Sequence, residues 1–481
     1  MVAIAVSAAS SGVCAEQSSF EQLFRNRTMR IDYYHVGDSA TELYTLDQVY
    51  EQGAWAGSTT ALIDELNLGR CMVRVFDLAT NRLIFSKSFD TYFGEYRTTD
   101  AAEQAVKRAY HESVLMPMPI RKIQFTIESR DKAGILHRVF DAVIDPDGID
   151  INREGPRGDT GVITFHQSGD PHRKVDVLFL AEGYTSTERA KFESDVKRFV
   201  TLMFSQEPYA SRRDMFNVRG AFKASTESGC DEPSHGSYRR TSLGASFDSL
   251  GVYRYLLVED NRAIRDIAAH APYDALYILV NTKRYGGGGI YNLYCTTTAD
   301  NAFSDYVFLH EFGHSFAGLA DEYYSSTTAY NDFYPTGSEP LEPNITALLD
   351  APRVKWQQVV TQGTAIPTPW EKADYDKMDS EYQARREELN QKIAKTKREG
   401  GEAGELQAES DRMAEEHARK VDQFLAASAF AGKVGACEGA GYTSKGLYRP
   451  SVDCIMFSKG VKPFCKVCEA AIARVIDSYA R

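Results

Sequence analysis

Two histidines four positions apart flank a glutamate in the segment His310-Glu311-Phe312-Gly313-His314. On a helix, that spacing stacks both side chains one turn apart on the same face, so both imidazoles reach one metal ion. The glutamate between them then lies beside the ion, close enough to act on a metal-activated water. These residue types at this spacing support metal-assisted hydrolysis. A third protein ligand is needed, and the acidic pair Asp321-Glu322 follows where it is required. Neighbours in an extended stretch point to opposite sides, so only one of the two can face the ion.

The elements around the motif must bury and aim it. Tyr306-Val307-Phe308-Leu309 is apolar and free of breakers, which predicts a buried helix running through the histidines. Gly318 can adopt the left-handed conformation that commonly ends a helix, so the chain is expected to turn back there. Before the motif, Gly286-Gly287-Gly288-Gly289 lacks the Gly-Lys-Ser/Thr of a phosphate loop. Glycine admits close backbone approach, and Gly288, Gly289, Ile290 and Tyr291 are expected to form a substrate-binding strand edge.

Further upstream the pattern alternates strand and helix from residue 156 onwards. Residues 175–181 are a continuous apolar strand, and 215–222 and 275–280 are two more. Thr185 with Glu188 makes a capping box before a helix whose inner face is Phe192, Val196, Phe199 and Val200. This predicts an α/β domain over 156–481. The polar loop 230–243, with Asp231, Glu232 and His235, reads as solvated. Residues 371–425 change character, with Glu-first i,i+4 charge pairs and narrow apolar stripes broken at Gly400-Gly401. They are expected to form a projecting, solvated helical hairpin inserted in that domain, with Trp356 and Trp370 anchoring the loops before it. In the last segment Asp453-Cys454-Ile455-Met456-Phe457 precedes a helix over about 466–479.

Residues 16–155 read differently. Strand-length runs rich in Val, Ile, Phe and Tyr occur at 29–36, 43–50, 71–78, 82–89 and 120–128, and only 101–115 looks helical. Ala79-Thr80-Asn81 suits a short hairpin. An antiparallel sandwich-like module without a catalytic constellation is expected there. Breaker clusters at 145–148 and 153–158 mark the boundary.

With 481 residues the chain exceeds one ordinary core. A hydrophobic share of 43% and a charged share of 25% describe a globular protein, and the net charge of -12 excludes nucleic acid or an anionic membrane surface as main partner. No run approaches the length of a transmembrane helix. Residues 1–15 are expected to be a signal peptide without its basic start: small apolar residues from Val2 to Ala9 precede Val13-Cys14-Ala15. Of eight cysteines, Cys437, Cys454, Cys465 and Cys468 crowd the C-terminal part, and in an exported chain they are expected to form local disulfides. Cys465 and Cys468 form a CxxC with no second CxxC to complete a four-thiolate site.

These residues together resemble the IgA-peptidase family of bacterial zinc metallopeptidases. The resemblance rests on the histidine motif with Gly318-Leu319-Ala320-Asp321-Glu322-Tyr323, on Gly287 to Asn292, and on Cys454-Ile455-Met456 with Phe464 to Cys468. It implies a metzincin-like domain with one catalytic Zn²⁺, in which Met456 forms the Met-turn beneath the metal. The usual pattern sets Gly seven and the third ligand ten residues after the first histidine. Here Gly318 is eight and Asp321 eleven residues on. Asp321 is the expected third ligand, with Glu322 as the alternative or as a hydrogen-bond partner behind the site. Glu311 is the expected general base, and Tyr323 or Tyr324 the expected oxyanion stabiliser. The resemblance further implies a protein or peptide substrate, a class that includes host glycoproteins such as immunoglobulin. It places the chain outside the cytoplasm of a bacterium, as a periplasmic, cell-surface or secreted protein. The rival reading is a surface adhesin or glycan-binding protein with a degenerate peptidase domain, against which the intact Glu311 argues. A serine hydrolase is excluded by the absence of a G-x-S-x-G elbow.

Overall fold

A computed structural model describes residues 19–156, 158–325, 334–335 and 337–479; the expected leader at 1–15 lies outside them. The β-rich first part supplies strands β1 (Phe24–Gly37), β2 (Glu42–Glu51), β3 (Cys71–Asp77), β4 (Arg82–Phe89), β5 (Arg108–Pro119), β6 (Ile123–Arg130), β7 (Leu136–Ile144) and β8 (Ile151–Asn152). They form two four-stranded sheets, ordered β5-β1-β2-β8 and β4-β3-β6-β7. Alternation decides which side chains meet: Met29, Ile31 and Met116 from one sheet share a buried cluster with Val73, Val75 and Phe125 from the other. The β3–β4 hairpin turns through Asn81, whose φ of 54° is the left-handed conformation asparagine tolerates.

One expectation fails here. The helix read at 101–115 is replaced by β5, which runs antiparallel to β1 from Phe24↔Pro119 to Gly37↔Arg108. Only Tyr92–Tyr96 and Asp100–Glu103 are helical nearby. Pairing with a long neighbour strand outweighed local helix preference. The exposed edge strand β7 escaped the reading because its outward residues break the apolar alternation.

The second part is built on a six-stranded sheet of β9 (Gly161–His166), β10 (Val175–Glu182), β11 (Phe216–Phe222), β14 (Ala275–Val280), β15 (Gly287–Ile290) and β16 (Tyr294–Thr298). The short pair β12 (Ala245–Ser246) and β13 (Leu257–Val258) stands beside it. The order is β15-β16-β14-β10-β11-β9, with parallel inner pairs and antiparallel outer ones. Every residue of β10 is buried, as its unbroken apolar run requires, because both sheet faces are covered. Val177 and Phe179 face the cluster that holds the motif helix. Leu178 and Leu180 face a second cluster, shared with Tyr92, Phe93 and Tyr96 of the first part. The two parts are thereby packed into one body around the sheet.

The helical hairpin is present as Lys372–Arg398 and Gly404–Ala426. Its far end carries its own small cluster of Leu389, Ile393 and Ala403 with Leu406 and Met413 packed on it. Its base corrects the picture of a solvated arm, since Tyr375, Val421 and Leu425 belong to the main core. The loop at 230–243 is likewise docked: buried His235 pairs with Glu232, contacts Tyr253 at 2.8 Å and lies 3.3 Å from Lys397 on the hairpin. Trp356 and Trp370 are buried anchors, donating their indole N–H groups to the carbonyls of Gly435 and Glu438. Both acceptors flank or lie in the hairpin β17 (Cys437–Ala440) and β18 (Thr443–Arg449).

Candidate metal centre

The motif helix spans Ser304–Ala317. Phe308 stacks on Phe179 of the sheet and on Phe199 of the helix Arg189–Met203, and the Tyr277 hydroxyl donates to the Phe308 carbonyl at 3.1 Å. Strand β15 crosses so close that only glycine fits: a Cβ on Gly289 would lie 2.5 Å from the Glu311 carbonyl oxygen and 3.0 Å from His314 Cβ. The helix ends at Gly318 in the left-handed conformation, and Leu319 N–H returns to the Gly313 carbonyl at 3.2 Å.

That turn aims the donors. His314 Nδ1 donates to the Leu319 carbonyl at 2.5 Å, and His310 Nδ1 to the Ile455 carbonyl at 3.0 Å. With both Nδ1 protons engaged, both Nε2 lone pairs face the same point. The two Nε2 atoms are 3.1 Å apart, and Asp321 Oδ1 is 2.9 Å from one and 3.2 Å from the other. Two ligands at about 2.0–2.1 Å from zinc in a tetrahedral arrangement stand roughly 3.3 Å apart, so the triangle is of the right size. Two facing lone pairs and a carboxylate need a cation between them, and the donor set fits a metal ion. Burial opposes ionisation of Asp321, yet the adjacent imidazoles hold its carboxyl well below the usual range. Burial likewise opposes the His314 imidazolium, but Asp321 and Glu311 carry its pKa up to about 9 in the metal-free site. Burial pushes the Glu311 carboxyl up, partly offset by the two histidines.

Met456 lies beneath the motif helix, where a Cβ on Gly313 would come within 3.0 Å of its Sδ. Glu322 points away from the histidines: it is fully buried, and its Oε1 accepts from Asn344 Nδ2 at 3.0 Å. Tyr323 stays on the histidine side, its ring stacked on His310 and its hydroxyl accepting from Arg254 at 2.6 Å. Tyr324 does not; its hydroxyl donates to Asp376 of the helical hairpin at 2.6 Å. Gly289, Ile290 and Tyr291 line the cleft beside the histidines. Gly288 turns instead against Tyr255 and Leu257. The edge is partly taken, since Leu256 N–H pairs with Gly287 O at 3.2 Å and Asp90 N–H with Tyr291 O at 2.9 Å.

Sequence reasoning missed several cleft residues. Tyr442, held at a φ of 63° in the β17–β18 turn, donates its hydroxyl to Asp321 Oδ2. Asp90 and Glu95 come from the first part of the chain and reach the cleft, where burial raises their carboxyls to about 6 and about 7. On the other flank, Tyr382, Arg386 and His417 of the hairpin share a pocket with His310 and Glu311. No local signal marks any of these; only the tertiary fold brings them in.

The disulfide expectation is corrected as well. All seven described cysteines are free and buried. The Sγ atoms of Cys454 and Cys468 stand 3.9 Å apart, well beyond a bond of about 2.05 Å. Three sulfurs gather around one carboxylate here, and Cys437 lies apart from that group in the β17–β18 hairpin.

Residues 163–476 match the family model described as IgA Peptidase M64, and residues 19–141 match that of the Peptidase M64 N-terminus. No curated protein matches the chain.

Proposed function

The chain belongs to the IgA peptidase M64 family, and on that premise we propose that it is a zinc-dependent endopeptidase with Glu311 as general base. The observation that carries the reading is the convergence of His310 Nε2, His314 Nε2 and Asp321 Oδ1 beside an intact, buried Glu311 on a cleft wall. Zinc bound by these three residues supplies Lewis acidity to the scissile carbonyl and acidity to water. Glu311 takes the proton of the attacking water on its carboxylate and returns it to the departing amine. Tyr323 accepts a hydrogen bond from Arg254, so its own hydroxyl proton is free to be donated to the oxyanion of the tetrahedral intermediate.

The same reading takes the second module as metzincin-like, supported by Met456 beneath Gly313. It takes the first as sandwich-like, supported by two sheets feeding one buried cluster. The substrate is a protein, and a host glycoprotein such as immunoglobulin is the first to assay. Export from a bacterium is inferred from the small apolar run Val2 to Ala9 and the step at Val13-Cys14-Ala15. The test of mechanism is Glu311→Ala with its metal content measured. Fold and metal should be kept while turnover of a peptide library falls by about 10²–10⁴ or more. Unchanged turnover in the metal-loaded variant would sink the reading.

A further inference from the structure

The CxxC of Cys465 and Cys468 takes no part in peptide hydrolysis, and its surroundings point elsewhere. Cys465 immediately precedes the C-terminal helix Lys466–Tyr479 and Cys468 lies in its first turn. Cys454 and Glu322 complete a group whose donor atoms all lie within 4.8 Å of one another. Glu322 and Cys468 are 0% exposed, Cys454 is 1% and Cys465 9%. Glu322 Oε1 is 3.2 Å from Cys468 Sγ and 3.9 Å from Cys465 Sγ, while its Oε2 is buried with no hydrogen-bond partner. A carboxylate oxygen left so in the interior is costly unless something compensates it.

We propose that Glu322, Cys454, Cys465 and Cys468 form a second metal site, a closed structural site for zinc. Three thiolates and a carboxylate are a donor set that selects a thiophilic divalent cation, and four protein ligands leave no position for substrate. Two Zn–S bonds of about 2.3 Å at the tetrahedral angle separate their sulfurs by roughly 3.8 Å. The observed separation of Cys454 and Cys468 is 3.9 Å. The Cys465 N–H donates to Cys454 Sγ at 3.2 Å, the bond a thiolate sulfur accepts. Excess negative charge is met by the fully buried Arg449 guanidinium and by the N-terminal end of the C-terminal helix.

Such a site would clamp the turn beneath the histidines. Glu322 N–H pairs with the Met456 carbonyl at 2.8 Å, and the Ile455 carbonyl between Cys454 and Met456 orients His310. The proposal stands independently of the peptidase reading, and the experiment separates the two. The full chain is purified without chelator and its zinc is counted. Two ions per chain are expected, and one should remain in the double variant His310→Ala/His314→Ala. Replacement by Co²⁺ in that variant should give a thiolate-to-cobalt charge-transfer band, lost in Cys465→Ser. If Cys465→Ser does not fold, the band in the histidine variant and the zinc count in the unmodified chain decide. A single zinc that disappears with the histidines, no charge-transfer band, or a Cys454–Cys468 disulfide in the non-reduced mass map would each overturn the site.

Discussion

Asp321 turns towards the cleft and Glu322 towards the interior, and each joins a different donor set. The cleft set has two imidazoles and one carboxylate, with the His314 side chain 15% exposed. The interior set has three thiols and one carboxylate, essentially sealed from solvent. An extended backbone places successive side chains on opposite faces, so one peptide unit serves both. The difference teaches what makes a metal centre reactive. Three ligands and an open side leave a position for chemistry, whereas four ligands without access can only hold the fold together.

Exchanging the two carboxylates breaks the comparison most sharply. Asp321→Ala should release the cleft metal and lower turnover by at least the roughly 10²–10⁴ that general-base work alone contributes. Glu322→Gln, which keeps the shape, should retain the cleft metal and lose thermal stability. Metal counting after mild dialysis, with melting curves, distinguishes them; loss of the cleft metal from the Glu322 variant alone would reverse the assignment. Tyr442→Phe is a subtler probe, because it removes only the hydrogen bond to Asp321 Oδ2. Affinity for the cleft metal should fall about 10–100-fold, the usual effect of losing such a support, while the thiolate site is unaffected. Equal affinity in a metal-competition titration would show that Tyr442 merely packs there.

The smallest effect is on pH. Without metal, His314 keeps its proton up to about 9, so protons compete with the metal for Nε2. Affinity for the cleft metal should therefore fall as pH drops below that value, by about tenfold per pH unit for each proton displaced. Metal release followed against pH checks it. A flat profile between pH 6 and 8 would mean that the imidazoles are neutral before the ion arrives.

The cleft set was the more legible of the two in the sequence. His310, Glu311 and His314 follow a helical period, and Asp321 comes after a glycine that ends the helix. Periodicity of that kind is local, and so it survives in one dimension. The interior set joins Glu322 to Cys454 and a CxxC more than a hundred positions downstream, so the crowded cysteines by themselves gave a disulfide expectation that the fold does not bear out. Residues 101–115 teach the same lesson at the level of elements: a helical look gave way to β5 because β1 stood beside it. The two ends of the helical hairpin divide likewise. Leu389 and Ile393 meet Leu406 and Met413 as their stripes foretold, whereas the burial of Tyr375 and Leu425 depended on a core assembled elsewhere.

The cleft's flanks come from chain segments remote from its donors, with Asp90 and Glu95 on one side and Tyr382, Arg386 and His417 on the other. None of these side chains holds the histidines in place. Selection can therefore work on the two at different rates: a descendant could acquire a new diet by rewriting its flanks while inheriting the hydrolytic centre unchanged. A hairpin transplanted from a relative would be the shortest route to such a change, provided that its base still fills the space around Tyr375 and Leu425.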